Sequence, residues 1–271
     1  MLSSYLRRLG SLIGLVLLCS SAAGAEQLPS AQDLQKLIGA APRTIVVYEP
    51  HLSVGDKNVA VEYIGYRAVE VMEAVFGQGW RETADTIEFR ALDGYVSRID
   101  TRRLQSDKAF VVFARKDGSG FTVDNIAQNE KNVPLGPYYL VWDNISDSEL
   151  LAEGASNWPY QVSQINLVNL SDDALLPSGL DARHHHGAEL AKKHCLSCHK
   201  INGYGGEKFL GDLAEIAKEF DEAAFLSWVL VPSSVKEGTT MPALSQRLPE
   251  AERRRIAKAL YDYLTNISVV P

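Results

Sequence analysis

Cysteine and methionine are scarce in this chain. Beyond residue 25 there are two cysteines, Cys195 and Cys198, and two methionines, Met72 and Met241. Two thiols cannot build a disulfide framework. A structural zinc site needs four ligands, and His51, His184, His185, His186 and His194 offer no second paired spacing. Long apolar runs are also missing: after residue 25 none approaches the roughly 18 residues that a membrane span requires. Internal repeats and low-complexity tracts are absent. Basic charge is thin where the chain is longest, since residues 26–180 hold 13 Lys+Arg against 22 Asp+Glu while residues 181–271 balance at 12 each. A net of −9 over 26–180 argues against nucleic acid and anionic membrane surfaces as partners. It suits a basic protein partner, or solubility alone.

What is present begins with a leader. Arg7 and Arg8 form a positive region, Leu9 to Leu18 an apolar one, and Ala23-Gly24-Ala25 a small-x-small cleavage site. The mature chain is expected to start at Glu26, exported to a Gram-negative periplasm as a soluble protein with no remaining membrane segment. The arginine pair lacks the flanking residues of a twin-arginine signal. Leu17-Leu18 before Cys19 are bulkier than a lipid-acceptor site prefers.

At 271 residues the chain is long enough for two ordinary domains. The seam is "SDDALLPSGLDARHHHG", residues 171–187, with Pro177 and Gly179 among acids. Before it, "RTIVVYE", "KNVAVEYI", "AFVVFARKDG", "YYLVWDN" and "YQVSQINLVNL" read as strands. "DTIEFRALDGYVSRIDT" reads as two strands about Asp93-Gly94, and "YRAVEVMEAVFGQGW" as a helix. The expectation is an α+β domain over 26–178. After the seam, "GAELAKKHCLSCH", "DLAEIAKEF", "DEAAFLSWVLV" and "LPEAERRRIAKALYDYLTN" read as helices, the last with Pro249 in its first turn. A small all-α domain over 179–271 is expected, with one turn-rich loop, "PSSVKEGTTMPALSQ".

Cys195-Leu196-Ser197-Cys198-His199 allows three chemistries. A redox disulfide would sit at a helix start after a strand, whereas here a helix precedes the pair. The zinc reading fails on ligand number. Covalent haem remains: both thiols add to vinyl groups and the adjacent imidazole reaches the iron. Met241, in "GTTMPAL" and 42 residues after His199, is a soft thioether in a loop followed by Pro242. A loop methionine in an arbitrary chain is a gap-filling hydrophobe; downstream of CxxCH it is a candidate second axial ligand.

Residues 183–268 thereby resemble a class I cytochrome c domain. The resemblance rests on Gly187 eight residues before Cys195, on CxxCH, on "GTTMPAL" and on "ERRRIAKALYDYL". It implies one covalent haem c on Cys195 and Cys198, His199 as proximal and Met241 as distal iron ligand. It also implies a close crossing at Gly187 against Leu260 and Tyr263. One departure stands out: Gly211 occupies the place of the family's proline, whose carbonyl accepts the proximal histidine's Nδ1–H.

Residues 41–170 resemble, in order and pattern, the molybdopterin-binding fold of the sulfite oxidase superfamily, with "ALDGY" the sharpest string. That family holds molybdenum through a cysteine thiolate, and this region has none, so the resemblance implies a fold reused for docking or ligand binding. Trp80, Trp142, Trp158, Tyr138, Tyr139 and Tyr160 are candidates for a pocket or partner surface, weighed against ordinary core packing. His184-His185-His186 reads as a solvated helix start, and Arg253-Arg254-Arg255 as a solvated helix face. The function expected is single-electron transfer with a periplasmic redox protein. The alternatives are a haem-containing oxidoreductase whose first domain binds substrate or cofactor, and a haem-based sensor.

Overall fold

The structure is a computed structural model that describes residues 26–53, 57–245 and 248–269. The leader and Cys19 lie outside the described residues, as does Gln246 of the turn-rich loop.

The chain enters as β1 (Glu26–Gln27) and α1 (Ala31–Ile38). The Ser30 hydroxyl caps α1 by accepting from the Asp33 N–H at 3.2 Å. There follow β2 (Arg43–Tyr48), β3 (Ala60–Arg67), α2 (Ala68–Phe76), α3 (Trp80–Thr83), β4 (Thr86–Ala91), β5 (Val96–Asp100) and α4 (Thr101–Leu104). Next come β6 (Ala109–Arg115), β7 (Thr122–Asn125), a 3₁₀ turn at Ile126–Gln128, β8 (Glu130–Pro134), β9 (Tyr139–Trp142), α5 (Ser148–Glu153) and β10 (Val162–Val168). Two four-stranded antiparallel sheets result, ordered β1-β10-β4-β5 and β2-β3-β6-β9, with β7-β8 as a separate hairpin. Strand β9 is buried along its whole length, so its run of Tyr-Leu-Val-Trp is continuously apolar rather than alternating. One core runs from Leu34 to Leu167 and holds Trp80, Trp142, Tyr138 and Tyr139. The α+β expectation for this region holds.

After the seam come α6 (His185–His194), β11 (Lys200–Ile201), β12 (Tyr204–Gly205), α7 (Leu213–Lys218), α8 (Glu222–Leu230), α9 (Pro232–Val235) and α10 (Glu250–Asn266). A second core runs from Leu175 to Ile267, built on Ala188, Ala191, Ala214, Ala217, Leu260 and Leu264. At Gly187 a Cβ would stand 2.3 Å from the Tyr263 Cβ and 2.7 Å from the Ala259 carbonyl oxygen, so only glycine allows α6 to cross α10 this closely. Pro249 stands just ahead of α10 rather than in its first turn.

The expected all-α fold over 179–271 is incorrect. The described chain is a mixture of helix and strand on both sides of the seam, with four sheets in all. Lys200–Ile201 pairs antiparallel with Tyr204–Gly205, and Lys200 also bridges to Asp212 in parallel. The cause is local: Asn202 at φ 49° and Gly203 at φ 79° form a two-residue turn with both centres left-handed, which suits a tight hairpin. Helix α6 runs up to the cysteine pair and stops at His194, because Cys195 leaves the helical region at φ −122°.

Candidate functional site

Helix α6 delivers the motif. It buries Gly187, Ala188 and Ala191 against α10, and Leu196 then anchors the next residue at 2% exposure. The Cys195 N–H still donates to the Ala191 carbonyl at 2.8 Å, after which the chain closes on itself. The Cys198 and His199 N–H groups both donate to the Cys195 carbonyl, at 3.1 and 3.0 Å. One tight turn therefore carries both thiols and the imidazole. Hairpin β11-β12 braces it from behind, with the Gly206 N–H donating to the Leu196 and His199 carbonyls at 2.9 and 3.0 Å.

Both cysteines are free and half-buried. Burial pushes the Cys195 thiol up to about 12, helped by neighbouring Cys198, and the Cys198 thiol up to about 11. Reactive redox cysteines have lowered values, because the thiolate is the nucleophile. The disulfide-oxidoreductase reading is disfavoured on that ground. Burial also lowers the His199 imidazole, favouring the neutral ring, the form that ligates metals. The ring stacks on Phe209 with centroids 5.1 Å apart and planes at 22°. Its Nδ1 is buried and has no hydrogen-bond partner. Gly211, at φ 90°, takes the place of the family's proline in sequence but does not receive this proton, so the proximal hydrogen bond is missing here.

Met241 reaches the same core as Cys195, packing against it while half-buried. Its N–H donates to the Thr239 hydroxyl at 3.2 Å. The side chain borders a cavity of about 440 Å³ whose wall includes Leu230, Val231 and Pro232. That volume lies within the range of about 300–1,000 Å³ common for small-molecule sites. The structure thus joins Cys195, Cys198 and His199 in a single turn and sets Met241 on the same core from a distant loop. Among the described residues, no cluster of three or more His, Cys, Asp and Glu side chains is arranged to hold a metal ion. By residue type, one imidazole, one thioether and two thiols would fit a haem c, which needs no such cluster.

The histidine triplet splits: His184 is buried beside the Arg183 guanidinium at 3.2 Å, while His185 and His186 are exposed. Arg254 and Arg255 pair with Glu250 and Glu252 along the exposed face of α10. Of the six aromatic residues, Trp80, Trp142, Trp158, Tyr138 and Tyr139 are buried in the first core and Tyr160 is half-buried, so they pack rather than line a surface.

Sequence reasoning missed a buried polar cluster in the first core. Glu49 is fully buried, yet its carboxylate accepts from the Tyr63 hydroxyl at 2.7 Å and from Tyr139 at 3.0 Å. His51 Nδ1 lies 2.7 Å away, and the His51 N–H donates at 3.1 Å. Burial alone would raise the Glu49 carboxyl, but His51 and Tyr63 together hold it below the ordinary range. Burial and the Glu49 charge push the Tyr63 and Tyr139 hydroxyls up, so both stay protonated donors. Every member of the cluster is hydrogen-bonded.

No family model matches the chain, and no curated protein matches it. No helix among the described residues is long and apolar enough to cross a membrane.

Proposed function

We propose that the chain is an exported, periplasmic c-type cytochrome that passes single electrons, with an α+β region that meets a redox partner. Cys195 and Cys198 hold one haem c covalently, His199 is the proximal ligand and Met241 the distal one. The observation that carries this reading is the attachment turn itself. Two free thiols and an imidazole that burial keeps neutral occupy one turn of chain. Haem c, when bound, supplies a one-electron iron couple that needs no bond to a substrate.

The protein's own residues hold, orient and enclose. Leu196 and hairpin β11-β12 fix the turn, Phe209 sets the plane of the His199 ring, and Thr239 steadies the Met241 backbone. The excess of acids in 26–180 favours a basic partner surface and raises encounter rates at low salt. The oxidoreductase alternative would need the first region to hold a substrate. Its buried acid–base group, Glu49 with His51, is instead enclosed and saturated by its own tyrosines.

Met241→Ala tests the distal assignment. The ferric absorption band of an Fe–S(Met) bond should be present in the parent protein and absent from the variant. The variant should also have a lower reduction potential, since thioether ligation raises it. An unchanged band and potential would remove Met241 from the ligand set.

A further inference from the structure

Two segments of the first region meet the second, one at the attachment turn and one at the cavity beside Met241. The β4–β5 hairpin is bonded to the attachment turn through backbone. The Val96 N–H donates to the Ser197 carbonyl, between the two cysteines, at 2.8 Å, and the Glu207 N–H donates to the Gly94 carbonyl at 2.7 Å. The contact is close: a Cβ on Gly94 would lie 2.7 Å from the Glu207 carbonyl carbon, and one on Gly206 would lie 3.1 Å from the Gly94 oxygen. Charges lock the same seam. Asp93 pairs with Lys208 at 2.9 Å, and Arg98 reaches the Gly205 carbonyl at 3.3 Å with its guanidinium 4.4 Å from the Tyr204 ring centroid.

The turn that joins β7 to β8 shares a cavity with the loop that carries Met241. Ile126, Ala127 and Asn129 line the same cavity as Leu230, Val231 and Met241. Ile126 is 52% exposed, a large apolar side chain turned outward rather than into the first core. The turn is tied back into that core, since the Ile126 N–H donates to the His51 carbonyl at 3.3 Å.

We infer that residues 94–98 and 126–129 of the first region complete the haem site. The former hold the attachment turn in place, and the latter wall the Met241 cavity. The first region is then a part of the redox centre, not only a docking module tethered beside it. This inference rests on the haem reading above.

The test places a charge on the Ile126 wall in the full-length, haem-loaded protein. Ile126→Lys should favour the ferrous state and Ile126→Glu the ferric state, because each charge acts on the iron across the cavity beside Met241. At one fixed redox poise, the two variants should differ about tenfold in ferrous-to-ferric ratio, equivalent to about 59 mV for one electron. The same pair at Leu37, exposed on α1, should leave the ratio at its parent value. Residue 126 is exposed, so these changes spare the fold, and a sign-dependent shift is not what a purely structural role would give. Covalent haem with no difference between Ile126→Lys and Ile126→Glu would overturn this inference and leave the haem reading standing. Absence of covalent haem from the parent protein would overturn both.

Discussion

The Glu49 cluster of the first core and the imidazole of the attachment turn are satisfied to different degrees. In the first, Glu49 and His51 are enclosed completely, and Tyr63, Tyr139 and a backbone N–H satisfy them. In the second, His199 Nδ1 is enclosed and has no partner, and two thiols stand half-buried side by side. A closed network rigidifies a core. An unsatisfied buried nitrogen is an exception among native buried polar groups. Packing differs as well. The first core is filled by large aromatics such as Trp80, Trp142 and Tyr63, whereas the second mixes leucines and isoleucines with alanines and with Gly187, which lets α6 approach α10.

The strongest way to break this contrast is to open the closed network. Glu49→Ala leaves the His51 ring and two tyrosine hydroxyls without their acceptor, and should cost about 3–5 kcal/mol of stability in denaturant unfolding. Glu49→Gln should recover part of the loss. The Glu49 carboxyl is held below its ordinary value, so its stabilisation is fully present above the unfolded value near pH 4.3 and fades as pH falls through the lower folded value. Stability of the parent protein should therefore drop on acidification below about pH 4. Glu49→Gln should show less of that drop. If both titrate alike, the carboxylate is not the group that anchors the first core.

A smaller effect is expected in the second core. Gly187→Ala puts a methyl group 2.3 Å from the Tyr263 Cβ and 2.7 Å from a carbonyl, forcing α6 away from α10. The cost should be about 1–3 kcal/mol, the usual range for overpacking. Since α6 carries Cys195 at its end, the ferric spectrum should shift with it. A variant as stable as the parent would mean that the helix crossing is looser than the geometry implies.

Much of the first region was legible because its strands are local patterns of β-branched and aromatic residues. "RTIVVYE" forms β2, and "TIEFRALDGYVSRID" forms β4 and β5 around Asp93-Gly94. The second region misled where one stretch carried two messages. Asn202-Gly203 is a hairpin signal in its own right, but it lies directly behind CxxCH, and the helices on either side obscured it. Helix α1 was overlooked despite the Ser30 cap, being only eight residues long. The Glu49 cluster could not be read at all. Its tyrosines lie 14 and 90 residues away, and a pairing at that separation leaves no periodic trace. At the site, the residue types were legible from spacing. The free Nδ1 of His199, the hairpin behind the turn and the wall built from residues 126–129 depend on tertiary packing that no spacing encodes.

The central claim is that Cys195 and Cys198 hold one haem covalently. The direct measurement is a pyridine haemochrome spectrum of the full-length protein, produced with export and haem-attachment machinery, after denaturation and solvent extraction of loose haem. One c-type haem per chain should remain with the parent protein and none with the Cys195→Ser, Cys198→Ser double variant. A parent protein that loses all its haem to extraction would contradict the account.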